Sequence, residues 1–228
     1  MKKKILIFML LAISLFSLTA CKSNKIDLND YLIEKRVNLY TAEDDLYSVT
    51  FSSGTREEDY AFDGQVGNMI EFGALTFSRL DGLSLANDSY TYTVTINENN
   101  YTGFLDKSEI DNSYSADIGV AAPNDATINV QISFTGYSFN QDLINTSSSF
   151  SIDSSRAIEI ANDKLQDSLE TMKKNNDGKI EAVIKNVKDY SNSDSLHYYW
   201  YVGAVASDGD TIGILIDAAS GEVVAKKV

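Results

Sequence analysis

Between Tyr31 and Asn145 apolar and polar residues take turns with a period of two, the spacing of a strand with one dry and one wet face. Tyr92, Val94 and Ile96 alternate with Thr91, Thr93 and Thr95, and Ile128, Val130, Ile132 and Phe134 alternate with Asn129, Gln131 and Ser133. Tyr31, Ile33, Val37 and Leu39 share a face interrupted by Lys35, and Tyr47, Val49 and Phe51 form another such run, as do Leu75 and Phe77. Turn chemistry separates the runs: Glu43-Asp44-Asp45, Asn97-Glu98-Asn99-Asn100 and Pro123-Asn124-Asp125. About seven or eight short strands at this spacing predict an antiparallel β-sandwich over residues 31–146. It has neither the Cys nor the Trp that would mark an immunoglobulin domain.

At the serine-rich joint Asn145–Ser149 the period changes to 3.6. Ile158, Ala161, Leu165, Leu169 and Met172 gather on one helical face. Asp153 or Ser154 caps the start, Lys173 and Lys174 suit the negative end of the helix dipole, and Asn175-Asn176-Asp177-Gly178 stops it. Strand-like runs follow at 180–187, 197–206, 211–216 and 222–225, with Asp208-Gly209 as a hairpin turn. A small α+β unit over residues 150–228, helix packed on antiparallel sheet, is expected, and the whole chain is read as α+β. Ile216-Asp217-Ala218-Ala219-Ser220-Gly221-Glu222-Val223-Val224, after a Tyr/Trp-bearing strand, resembles the PepSY domain family. The segment has a reason of its own: Asp217 accepts backbone N–H groups inside the turn and Gly221 supplies the positive φ that closes it. The resemblance implies a non-catalytic module for inhibition, regulation or partner binding, found in propeptides of thermolysin-like metalloproteases and in bacterial envelope proteins. It carries over no catalytic residues.

The N-terminus sets an address. Lys2, Lys3 and Lys4 precede an apolar run from Ile5 to Leu18, and Leu18-Thr19-Ala20 leads into Cys21. A charged n-region, an apolar h-region and small residues at the cut form an export signal over residues 1–20, too short to span a bilayer comfortably. Leu-Thr-Ala-Cys resembles the lipobox of bacterial lipoproteins, which implies a diacylglyceryl group and a palmitate-type acyl chain on Cys21. The expected location is the extracytoplasmic side of a bacterial cell membrane, held by acyl chains, with residues 21–30 as a polar tether. Cys21 is the single cysteine, so no disulfide is available and stability must come from packed cores. The formal net charge is −14. Such a field repels nucleic acid and anionic headgroups and excludes both as partners.

The search for chemistry ends in absences. His197 is the single histidine, too little for a Ser-His-Asp triad or an ordinary zinc site. Glu43-Asp44-Asp45 and Glu57-Glu58-Asp59 read as solvated turns, and Asp208-Gly209-Asp210 lacks the ligand spacing of a calcium loop. No catalytic residue, metal or cofactor is assigned, and the chain is read as not an enzyme. Tyr198-Tyr199-Trp200-Tyr201 is the unusual feature. On a strand Tyr198 and Trp200 face one way, towards the helix, and Tyr199 and Tyr201 the other, as a candidate partner-binding pair. The expected role is binding or regulation of an envelope or secreted protein, a protease among the candidates. The alternative is a carbohydrate- or cell-wall-binding surface module that stacks glycan on aromatic rings. An exposed coplanar aromatic row on the sandwich would favour glycan; a groove beside the helix would favour protein.

Overall fold

The computed structural model describes residues 25–58, 61–80, 89–108, 113–135, 137–189 and 197–228. The residues read as export signal and residues 21–24 of the tether, Cys21 among them, lie outside the described residues, as does Asp59. In chain order the elements are β1 (Leu32–Glu43), β2 (Tyr47–Glu57), β3 (Met69–Arg79), β4 (Tyr90–Ile96), β5 (Asn99–Lys107), β6 (Ser113–Ile118), β7 (Ile128–Phe134) and β8 (Tyr137–Asn145). Then come α1 (Ser154–Asn175), β9 (Ile180–Lys188), β10 (Tyr198–Ala206), β11 (Thr211–Asp217) and β12 (Val223–Lys227).

The sandwich expected over residues 31–146 does not form. The strands run β1-β2-β3-β6-β5-β4-β7-β8, and β8 returns to β1 through Tyr40↔Asn145 and Thr41↔Ile144, closing an eight-stranded antiparallel barrel. Alternation states that one face is buried; it does not state whether the two ends of the sheet meet. Here they meet around a lumen filled by rings, the size an eight-stranded barrel encloses. Tyr47 stacks on Phe77 at 5.2 Å between centroids, and Tyr90 lies 4.2 Å from Tyr114. Tyr40, Phe51, Phe77, Val94, Ile128 and Ile132 are buried inside. The alternating partners Thr93, Asn129 and Gln131 face out.

The chain is also mostly β, not α+β, and residues 150–228 do not form the separate PepSY-like unit expected of them. Among the described residues α1 is the single α-helix. Strands β9–β12 continue the barrel's sheet, because β9 pairs in parallel with β1 through Leu32↔Ala182, Glu34↔Val183 and Lys35↔Ile184. Strand β1 therefore spends its first part against β9 and its far part against β8. The switch falls at a bulge between Arg36 and Asn38. There Asn186 donates from Nδ2 to the carbonyls of Val37 (3.2 Å) and Arg36 (3.4 Å), capping acceptors the bulge turns away from the ladder. Gly54 sits opposite on β2, and a Cβ there would lie 1.8 Å from the Lys35 carbonyl oxygen, so only glycine lets the strands approach.

A second core lies between α1 and the sheet. Ile158, Ala161, Leu165 and Leu169 pack on Ile184, Trp200, Val202, Ile214 and Ile216. Ile26 and Leu28, read from sequence as tether, belong to this core; Leu28 is fully buried. Asp27 caps the 3-10 turn Leu28–Tyr31, and the Leu28 N–H donates to Asn162 on α1 at 2.9 Å. The serine-rich joint is pinned as well: the Thr146 N–H donates to the Leu39 carbonyl (2.8 Å), and the Leu39 N–H to the Ser147 hydroxyl (3.1 Å).

Candidate functional site

Strand β10 divides its aromatic residues between two environments. Trp200 faces α1; its Nε1–H donates to the Ile152 carbonyl at 3.0 Å, and Phe150 meets it edge-on at 5.7 Å. Tyr198 packs against the same core. Tyr199 and Tyr201 stand on the opposite face, half-buried, where among the described residues no helix covers them. Tyr199 lies between Val187 and Asp217, and its hydroxyl donates to Asp189 Oδ2 at 3.1 Å. Partial burial, then that hydrogen bond and the carboxylates of Asp189 and Asp217, push its phenol above the ordinary tyrosine value. It stays neutral in any physiological medium.

Tyr201 lies between Lys185 and Leu215, with the Lys185 ammonium 5.6 Å from the ring centroid. Its ring lies down over Gly203 and Gly213, which pair across the β10–β11 hairpin. A Cβ on Gly203 would fall 2.3 Å from the Tyr201 hydroxyl, and one on Gly213 2.9 Å from the ring edge. Side chains at either position would lift the ring off the sheet. Flat as it is, the ring floors a shallow cavity of about 260 Å³, walled by Leu215, Ala225, Lys226 and Lys227 of β11 and β12.

Among the described residues strand β12 ends the sheet, and all five of its residues are exposed. On its other side a groove separates it from α1. Two cavities follow one another along the groove, of about 580 and 470 Å³. Glu159, Asp163 and Glu222 line the first, and Asp167, Asp210 and Lys227 the second. Arg156 and Lys164 in the first are ion-paired to Glu159 (2.7 Å) and Asp163 (3.2 Å).

The chain matches no protein-family model, no curated protein and no solved structure. What the site can do must be read from its geometry.

The acidic candidates have structural duties. Asp44 Oδ1 accepts the N–H groups of Leu46 and Tyr47, both at 2.8 Å, and Glu43 meets Lys188 at 2.5 Å. Glu57 is buried, its Oε1 accepting from the Gly67 N–H at 2.5 Å, whereas Glu58 is exposed and bonded to Asn68. The two carboxylates thus sit in different surroundings. His197 is exposed at the start of β10, and its carbonyl accepts from the Asp189 N–H at 2.9 Å. Among the described residues no three His, Cys, Asp or Glu side chains converge on a point that could hold a metal. Among the described residues the barrel presents no row of exposed rings. Phe104, 68% exposed, stands among threonines, with Thr91 opposite and Thr102 two residues away.

The α1–β12 groove and the glycine floor under Tyr201 were not singled out from sequence. The floor carried a signal: Gly203 and Gly213 each lie five residues from Asp208 in the turn, which makes them cross-strand partners. The groove carried none, since it depends on how far α1 stops short of the sheet edge.

Proposed function

We propose that this chain is a lipid-anchored, extracytoplasmic binding or regulatory protein, tethered through Cys21, that holds another protein of the envelope on its C-terminal sheet and performs no catalysis. Its partner is an envelope or secreted protein, a protease being one candidate. The reading rests chiefly on the Tyr199/Tyr201 face, half-open beside a cavity while Trp200 of the same strand is spent on the core. Large rigid rings that are partly wet when alone gain most from being covered by a partner. The groove beside α1 is the second support, and it favours protein over glycan. Glycan binding stays the alternative because Phe104 projects from a barrel face of uncharged polar residues, Thr91, Thr93, Thr102 and Gln131 among them.

The test uses intact cells carrying the full chain with a photo-crosslinking residue in place of Leu215. A defined crosslinked protein is expected, and the double variant Tyr199→Ser/Tyr201→Ser should weaken its capture about thirty-fold, the effect of about 2 kcal/mol at an interface centre. His197→Ala should leave capture unchanged. Trp200 fluorescence reports whether the helix-side core survives in the double variant. Capture that persists in a folded double variant moves the binding surface elsewhere, and Phe104 on the barrel is then the first place to look.

A further inference from the structure

We infer that β12 and the cavities on its two sides form one site, which takes an extended basic segment of a partner protein as an added strand. The inference rests on the reading of the C-terminal sheet as the partner surface and names how that surface is used. Topology supplies the first argument. At one end the sheet closes on itself through β8 and β1, so among the described residues β12 is left as its terminal strand. A terminal strand offers a row of backbone N–H and C=O groups that another chain can satisfy. Such pairing supplies affinity independent of sequence, and pockets for alternate side chains supply the choice of segment.

The pockets are where an added strand needs them. Alternate residues of that strand would point towards α1, into the groove holding the 580 and 470 Å³ cavities. The others would point to the open face, beside the 260 Å³ cavity floored by Tyr201. An edge flanked by space on both faces can accept side chains on both.

Charge decides the kind of segment. With Arg156 and Lys164 already paired, Glu222 is the uncompensated charge of the first cavity. The second holds Asp167 and Asp210 against Lys227 alone. Each cavity thus keeps one carboxylate in excess, in a chain whose net charge is −14. Lysine or arginine on the α1-facing positions of the segment is matched locally, and the whole field draws it in. The two lysines of β12 are engaged within their own chain: Lys226 reaches across to α1 and donates to the Lys164 carbonyl at 2.6 Å, and Lys227 donates to the Thr211 hydroxyl. Edge lysines and a large common charge also disfavour a second copy as the occupant.

The test pans random dodecapeptides displayed on phage against the immobilised chain covering residues 22–228, which includes every described residue. Enriched peptides with Lys or Arg at alternate positions are expected, and on binding, amide exchange should slow at Val223 to Lys227. Alternate N–H groups of a strand point to opposite sides, so of Ala225→Pro and Lys226→Pro one removes an outward donor and the other a donor to β11. The outward one should weaken the synthetic peptide about tenfold with Trp200 fluorescence unchanged, and Glu222→Lys should weaken it about as much. If both proline variants unfold, Glu222→Lys and the exchange pattern decide. No enrichment, or peptides that bind without protecting β12 or responding to Glu222→Lys, overturns the proposal. Peptides lost only in Tyr199→Ser/Tyr201→Ser overturn the added strand while leaving the open-face reading standing. A dimer in sedimentation, dissolved by the outward proline, would give the edge to a second copy and also overturn it.

Discussion

Asp217 gathers three hydrogen bonds on one carboxylate oxygen, from the N–H groups of Ala219 (3.0 Å) and Ser220 (2.7 Å) and the Ser220 hydroxyl (3.0 Å). Its main-chain carbonyl takes the Gly221 N–H at 2.9 Å, and Gly221 adopts φ +77°. This turn delivers β12 to the edge of the sheet. The Ser220 N–H, foremost, holds the Asp217 carboxyl below the usual range; partial burial opposes it, and the Ser220 hydroxyl, the Ala219 N–H and the charge of His197 reinforce it. A depressed carboxyl pKa contributes stability above the unfolded value of about 3.9, and the contribution is lost as pH falls through the folded value. Asp217→Ala should therefore cost about 1 kcal/mol at neutral pH, the size of a lost cap of the same chemistry. Urea midpoints should show that gap constant from pH 5 to 8 and narrower at pH 3. A gap that does not narrow would mean that the charge is not what holds the turn. The turn was readable from sequence because donors, acceptor and glycine all lie within five neighbouring residues.

Strand β1 shows where that legibility stops. Its alternation announced a buried face, and the aromatic and aliphatic residues of β2, β4 and β7 announced a common core. The likeness to a two-sheet sandwich came from counting strands, and counting cannot see that Tyr40 and Thr41 meet the end of β8. Nor could it see that Ile26, Leu28 and Leu32 belong with residues at 157–218. Two apolar residues among Lys25, Asp27, Asn29 and Asp30 look like an interrupted linker until α1 is set over them. The partition of Trp200 from Tyr199 and Tyr201, by contrast, needed only the period of a strand. A prediction belongs to this scale. Leu28→Ala should destabilise by about 2–5 kcal/mol, as for a fully buried leucine, and Trp200 fluorescence should follow the loss although Leu28 is remote in sequence. A fragment of residues 150–228 alone should likewise melt below the intact chain, and a peptide covering residues 25–36 should raise its transition. An isolated fragment as stable as the whole would show that β1 adds nothing to that core.

For the whole molecule, polar residues outside the barrel and rings inside it are the inverse of a transmembrane barrel's arrangement, and among the described residues no helix is long and apolar enough to cross a membrane. In our proposal membrane attachment falls to Cys21. Wild-type chain expressed in a bacterium should enter the detergent phase with the mass of a diacylglyceryl group, and Cys21→Ser should stay in the aqueous phase. Equal partitioning of the two would refute lipidation. The sharing of β1 has one more consequence, and it concerns time. In synthesis β1 emerges before the other strands, yet the Asn186 that caps its bulge is 150 residues from Arg36. Closing a loop of that length costs on the order of 4 kcal/mol in chain entropy, and contacts so distant put folding in the millisecond-to-second range. Until the final strands arrive, Ile26, Leu28 and Leu32 have no core to enter. A chain cut short therefore leaves the apolar residues at the start of β1 uncovered, with nothing to pack them against.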